Sequence, residues 1–423
     1  LELPRGMRDI EPKESSEIEY VRQKFIETSN LFGFQFMESS PIELLSVIET
    51  KSGPSIKNEI YYFTDKGDRE VALRFDFTIG LTRYASSQKS MRLPAKISTF
   101  GGVWRYDEPQ KGRYRFFHQW DVEIYGEPNV ESDAEIIDFT SKFLTKLGLE
   151  NIVIDICDRE LVEAYVRNIF SSDSPEVIGD ILRAVDKIQK KRKQDIINEY
   201  QEKGYPVSKL EQILEFSEIK GLPEEIEKKV DTSKLKNWNK MLQLFATLKN
   251  RGVHNIRINF GIVRGLDYYS GIVFEVFENN DVGALVGGGR YDTLTKAFGR
   301  SDLGATGAAG GVERIVLLLD KQKVNLSIME ERISVVFIND EMKAIAINIA
   351  SQFRLKGIPT DVDLTGKSLK KQMEIASNSK YVIIVAPKEY ADKSVIIRNM
   401  KDGSEKQVKI DALLNDLKSN LPL

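Results

Sequence analysis

The chain has 423 residues, 41% of them hydrophobic and 30% charged, with a formal net charge of −3. That balance describes a folded globular protein of two to four domains at roughly 150 residues each rather than a disordered chain. One cysteine, Cys157, and two histidines, His118 and His254, exclude an internal disulfide framework, a Cys-rich zinc site and a multi-His metal centre.

In chain order, residues 12–32 carry Ile18, Val21, Phe25 and Leu31 at helical spacing and predict an amphipathic helix. FGFQFMESSPIEL (32–44) enters a strand and a turn, and VALRFDFT (71–78) alternates as a strand does. AKISTFGGVWRYDE (95–108) and YRFFHQWDVEIYG (114–126) are β-rich runs joined by PQKGR, the signal of a hairpin. Helical periodicity returns over 131–147, and NIVIDI (151–156) reads as a buried strand.

The stretch 158–252 is helical and highly charged, with five basic residues between Lys187 and Lys193. Such a run is ordinarily a solvated helix face; the alternative is a surface for phosphates. IRINFGIVRGLDYYSGIVFEVFE (256–278) predicts a strand pair interrupted by glycine-containing turns. GGGRYDTL (287–294) follows and by itself is compatible with a plain tight turn. GAAGGVERIVLLL (307–319) is a glycine-rich strand running into an apolar helix, with Arg314 one or two turns in. Residues 320–330 form a polar linker. From Ile333, strand and helix patterns alternate and predict a separate small domain with a largely parallel sheet. Residues 331–423 hold 15 Lys+Arg and 12 Asp+Glu, so +3, leaving 46 and 52, so −6, for the rest. No apolar run approaches the ~20 residues of a membrane helix. The opening LELPRGMRDI has no apolar signal core, so nothing points to export.

On the strand read from Arg113 to Glu123, side chains two apart share a face. One face carries Arg113, Arg115, Phe117, Gln119, Asp121 and Glu123; the other is a core face broken by His118, which reads as a satisfied core histidine. The polar row runs from cationic to anionic. A solvated face is the plain reading; a ligand with a phosphate at one end and a cation at the other is the alternative.

Together, an Arg-bearing strand, a loop, a second Arg-Phe strand and a distant Gly-rich strand feeding a Glu-Arg helix resemble motifs 2 and 3 of class II aminoacyl-tRNA synthetases. VRGLDYYSG (263–271) and GGGRYD (287–292) look like the two signature peptides of the histidyl branch. The opening LPRGMRD, the VALRFDFT run and RYDEPQKGRYRFFHQWDVEIYG match that family as well, and the tail with GKSLKKQMEIASNSKYVIIVAPKEY resembles the anticodon-binding domain of class II enzymes.

The resemblance implies an α+β fold: a class II catalytic core on an antiparallel sheet flanked by helices. Residues 1–157 and 253–322 would form the core, 158–252 a helical insertion and 331–423 an α/β anticodon-binding domain. It implies activation of L-histidine with ATP and Mg²⁺ to histidyl-adenylate, then transfer to the 3′ end of tRNA(His), in a cytoplasmic homodimer. By motif position, Arg105 and Arg264 would be catalytic at the α-phosphate, and Arg113 and Arg314 would hold the outer phosphates. Phe117 would stack on adenine, with Asp107 near it. Asp76, Thr78, Gln119, Glu123, Arg264 and Tyr268 or Tyr269 would form the histidine pocket. Asp76 stands where relatives carry Glu. In the motif 2 loop, Gln110 would touch the tRNA, while Glu108 replaces an Arg of some relatives, so the tRNA 5′ end would be read differently. Lys367, Lys370 and Lys371 are candidates for contacts to the tRNA backbone.

Rival readings are a non-catalytic paralogue regulating histidine biosynthesis, a class II enzyme for another amino acid, and a pure RNA-binding module. The first typically lacks the tail and the arginines present here, the signature peptides oppose the second, and the third leaves the glycine-rich motifs unexplained.

Overall fold

Pro12 opens α1 (Pro12–Leu31) at a position where a missing N–H costs nothing, and Ile18, Val21 and Phe25 bury at helical spacing as expected, whereas Leu31, read on the same stripe, is exposed at the helix end. The computed structural model describes residues 2–52, 54–108, 114–188, 191–263, 269–278, 283–324, 332–364 and 366–415. The chain divides into two compact units, Leu1–Leu326 and Ser327–Leu423.

In the first unit the strands are β1 (Gln35–Phe36), β2 (Ile42–Leu44), β3 (Tyr62–Thr64), β4 (Glu70–Leu73), β5 (Ala95–Trp104), β6 (Phe116–Gly126), β7 (Ile152–Asp158), β8 (Lys220–Gly221), β9 (Ile256–Asn259), β10 (Ile272–Glu278), β11 (Val286–Arg290) and β12 (Gly304–Gly311). Helices α2 (Leu45–Ser52), α3 (Thr78–Ser87) and α4 (Val130–Lys146) follow α1. The 158–252 stretch forms α5 (Arg159–Phe170), α6 (Pro175–Lys187), α7 (Lys193–Glu202), α8 (Val207–Ser217), α9 (Pro223–Ile226) and α10 (Trp238–Asn250). Helices α11 (Asp292–Ala297) and α12 (Val312–Lys321) complete the unit.

Among the described residues, nine strands form one sheet in the order β1-β5-β6-β12-β11-β10-β7-β9-β8, and β2-β4-β3 form a small one. The large sheet is parallel at β1–β5 and β7–β9 and antiparallel elsewhere. The β5–β6 hairpin pairs Trp104 with Phe116 and Ala95 with Tyr125. The even residues of β6 bury Trp120 and Val122 against Phe25, Phe139 and Phe143 of α1 and α4. Each such ring contributes roughly 1.5–3 kcal/mol of burial, and this fixes which way the odd residues face. Helices α6, α8 and α10 bury Ile181, Leu210 and Met241 into the same continuous core.

Several sequence readings change. VALRFDFT is a strand only to Leu73; Phe77 is buried and Thr78 opens α3, so the last residues of the run leave the sheet. The runs within 256–278 do form strands, but β9 and β10 are not partners; β7 lies between them. GGGRYDTL is a strand followed by a helix, not a tight turn. Arg314 lies in the first turn of α12.

The second unit contains β13 (Ile333–Phe337), α13 (Asp340–Leu355), β14 (Thr360–Val362), α14 (Leu369–Ile375), β15 (Tyr381–Val385), α15 (Pro387–Ala391), β16 (Ser394–Asn399), β17 (Glu405–Lys409) and α16 (Ile410–Asn415). Its sheet order is β14-β13-β15-β16-β17. The first three strands are parallel, and β16 and β17 extend the sheet as an antiparallel pair.

Candidate active site

The polar row of β6 is not solvated. Gln119 is 4% exposed, Asp121 0% and Glu123 1%. The cause lies on β12, which pairs Gly311 with Gln119, Ala309 with Asp121 and Gly307 with Glu123. These neighbours leave room for the β6 side chains to lie across the sheet. At Gly307 the room is obligatory: an added Cβ would stand 1.5 Å from Glu123 Oε2 and 2.7 Å from Val122 O.

Thr78 and Thr82 close this row from the start of α3. Thr78 Oγ1 donates to Asp121 Oδ2 at 3.4 Å, and Gln119 Nε2 donates to the same oxygen at 3.4 Å. Thr82 Oγ1 lies 3.2 Å from the hydroxyl of Tyr125, which continues the odd face. Asp76 is half-buried, and its carboxylate accepts the Ile79 N–H at 3.3 Å. Tyr291 donates its hydroxyl to Glu123 Oε2. Burial first, then the Glu123 charge, pushes both the Tyr125 and Tyr291 hydroxyls well above the usual tyrosine range, so they remain donors. The result is a buried cluster of carboxylates, hydroxyls and one amide, a set whose acceptors can receive a cationic or N–H-bearing group.

Arg290 sets Tyr291 in place. Its guanidinium donates to Asp133 at 2.8 and 3.2 Å and to Asn129 O at 2.8 Å, tying the end of β11 to the start of α4. Burial pushes the Asp133 carboxyl up to about 6, against the pull of Arg290. Tyr269 is buried, and its ring borders Gly289 of β11.

The other end of the row is cationic and aromatic. The Arg105 guanidinium lies 5.2 Å over the Phe117 ring, and its Nε donates to Phe75 O at 3.0 Å. The Asp107 carboxylate is half-buried beside them in sequence, while its carbonyl accepts Arg115 Nε–H at 3.2 Å. Arg314 is half-buried and donates to Ala284 O. Its neighbour Glu313 accepts the His118 N–H with both oxygens at 2.9 Å and lies 3.0 Å from His118 Nδ1. His118 is therefore the satisfied histidine that its place on the core face predicts, and the Glu313 contact fastens α12 to β6.

The structure thus gathers Thr78 and Gln119 at Asp121, midway along the face, with Glu123 beyond them and Arg105 and Phe117 at the other end. Gln110, Arg113, Arg264 and Tyr268 lie outside the described residues. Sequence reasoning assigned no role to Asp121, Tyr125 or Tyr291. Asp121 and Tyr125 continue the same alternation, and Tyr291 stands two residues beyond Gly289, which faces Gly307 across the β11–β12 ladder. Among the described residues no group of His, Cys, Asp or Glu is arranged to hold a metal ion, and no helix is long and apolar enough to cross a membrane.

Comparison with known proteins places this geometry. Residues 6–315 match the family described as histidyl-tRNA synthetase, and residues 332–420 match the anticodon binding domain family. The histidine–tRNA ligase of Pyrococcus furiosus is 35% identical over 100% of this chain and 99% of that protein. That of Thermococcus kodakarensis is 32% identical over 99% and 98%. The crystal structure of histidyl-tRNA synthetase from a Nostoc species superposes with a TM-score of 0.84 at 21% identity, covering 99% of both chains. A Bacillus halodurans structure described as an ATP phosphoribosyltransferase regulatory subunit/histidyl-tRNA synthetase gives 0.76 at 22% identity, over 91% of this chain and 98% of that one. The structural likenesses establish the α+β fold with its antiparallel-rich core and C-terminal domain, and the full-length sequence matches establish the kinship: the chain belongs to the histidyl-tRNA synthetase family.

Proposed function

We propose that this chain activates L-histidine with ATP, releasing pyrophosphate, and passes the histidyl group to the 3′ end of tRNA(His). The observation that carries the reading is the buried odd face of β6, anionic at Glu123 and cationic near Arg105. The histidine carboxylate attacks the α-phosphate in line, so positioning and charge stabilisation supply most of the rate. Arg105 and Arg264 stabilise the charge at the α-phosphate, Arg113 and Arg314 hold the β- and γ-phosphates, and Phe117 stacks on adenine near Asp107. Mg²⁺ would accompany the ATP as part of the nucleotide substrate and would supply charge neutralisation on its phosphates. Asp76, Thr78 and Gln119 take the α-amino group; Glu123, with Tyr268 or Tyr269, meets the imidazole. A buried carboxylate that accepts a ring N–H discriminates strongly, since other side chains leave it unpaired.

Residues 1–157 and 253–322 act as the catalytic core and 158–252 as an insertion. Residues 331–423 read the anticodon, where unstacked loop bases are accessible, and Lys367, Lys370 and Lys371 contact the tRNA backbone. Gln110 contacts the tRNA acceptor end, and Arg5, 3.0 Å from Glu108, brings a cation beside that loop. The working form is a homodimer in the cytoplasm; the exposed Ile42, Leu44, Tyr62 and Phe63 of the small sheet support a covered surface there. ATP–pyrophosphate exchange assayed with each of the twenty amino acids tests the reading: histidine alone should stimulate exchange. Truncation before Ser327 should leave exchange largely intact and abolish tRNA charging.

A further inference from the structure

Apart from the Arg5 side chain beside Glu108, the opening PRGM of the chain has no part in the chemistry above. Pro4 to Met7 form a turn in which the Met7 N–H donates to Pro4 O at 2.9 Å and Gly6 holds φ +83°. That is the third position of a type II turn, which favours Gly and tolerates Asn. The turn presents two successive carbonyls to Arg115: Arg5 O accepts Nη1–H at 3.0 Å, and Gly6 O accepts the backbone N–H at 3.3 Å.

Arg115 alternates with Phe117 and Gln119, yet it is only 7% exposed and its charge serves the backbone. Its Nε–H reaches Asp107 O at 3.2 Å, its guanidinium lies 3.9 Å over the Tyr106 ring, and its carbonyl accepts the Arg105 N–H at 2.9 Å. The same segment makes two further contacts with the residues flanking the β5–β6 connection. Arg5 Nη2 meets Glu108 at 3.0 Å, and Arg8 stacks 3.9 Å over Tyr114. A buried guanidinium demands acceptors for its donors, so moving the turn moves the loop end of the β5–β6 hairpin, where Trp104 pairs with Phe116 and Arg105 and Phe117 stand.

We infer that the PRGM turn and Arg115 act as one strap that positions Arg105 and Phe117 for the nucleotide, Arg115 being a positioning residue rather than a ligand contact. The inference rests on the assignment of Arg105 and Phe117 to ATP. It is tested in the full chain with Gly6→Val, Arg115→Ala and their combination, measuring KM for ATP and for histidine separately in pyrophosphate exchange. Each single variant should raise the ATP KM about tenfold with the histidine KM within about twofold, and the double variant should be no worse than the worse single. Gly6→Asn, which accepts the left-handed conformation, should behave as the unaltered chain. Thermal melts of each variant monitor folding. An unchanged ATP KM, or ATP and histidine KM rising together with a lowered melting temperature, overturns the strap. Absence of histidine-dependent exchange in the unaltered chain would instead overturn the functional reading on which the strap rests.

Discussion

Between Lys187 and Lys193 the chain concentrates basic charge, and between Gln119 and Glu123 it concentrates polar and acidic groups. In the first region the described charges face water and find nearby acids: Lys187 and Lys191 meet Glu199, Arg192 meets Asp195, and Lys193 approaches Glu215 and Glu218. The two lysines hold the Glu199 carboxyl down to about 2. In the second region the side chains are buried on a sheet face, bonded to hydroxyls and an amide. Exposed, self-neutralised charge contributes little to stability or recognition. Buried polar groups have to be matched one by one, which is what specificity requires. The conspicuous run is thus not a helix face, since it spans the end of α6 at Lys187 and the start of α7 at Lys193 with Lys191 and Arg192 outside both; the quiet alternation on β6 is the candidate site.

The buried face of β6 depends most on Gly307. Gly307→Val places a side chain where Glu123 lies, and should lower kcat/KM for histidine in pyrophosphate exchange by about 10³ while the far-UV spectrum stays native. Retained activity would show that the glycine strand does not shape the pocket. Tyr291→Phe removes one hydroxyl from Glu123 and should raise the histidine KM about tenfold; stopped-flow or steady-state exchange would measure it.

Asp133 offers a titration. Its folded carboxyl, raised to about 6 from the usual 3.8, favours the protonated form in the native state. Its stabilising contribution is present below the unfolded value and is lost as pH rises through about 6. Paired melts should therefore show Asp133→Asn gaining a few degrees on the unaltered chain as pH rises from about 4 to 6. A constant difference would place the Asp133 charge outside the fold's balance. The smallest effect belongs to the basic run: Glu199→Gln frees Lys187 and Lys191 and should change exchange activity by less than about twofold.

Much of this arrangement was legible because local pattern and tertiary role agree. The β5–β6 hairpin, the helix at 12–32 and the glycine-rich strand entering α12 are each specified by their own residues. VALRFDFT misled because alternation continues through Phe75 and Phe77 although the backbone turns to start α3 at Thr78. The place of β7 between β9 and β10 was not legible, since strand partnership depends on contacts across about a hundred residues that no local period encodes. β17 was missed because EKQVK is mostly exposed and lacks an apolar signal, whereas its partner β16 carries the apolar run Val395–Ile397 that a strand reading can use. The burial of Asp121 and Glu123 was hidden for the same kind of reason. Whether a polar face is wet or dry is decided on β12, through Gly307, Ala309 and Gly311, far along the chain. Tyr291 reaches Glu123 only because Arg290 and Asp133 fix the end of β11, a pairing with a separation of 157 residues.

The role of Glu123 is tested most directly by the substrate dependence of Glu123→Ala in ATP–pyrophosphate exchange. If Glu123 receives the imidazole N–H, the histidine KM rises by at least ~10², the equivalent of ~3 kcal/mol of lost charged hydrogen bonding. The ATP KM stays nearly constant, and analogues lacking the ring N–H lose their disadvantage against histidine. An unchanged ratio between histidine and such analogues would contradict the account and make Glu123 a structural residue of the sheet.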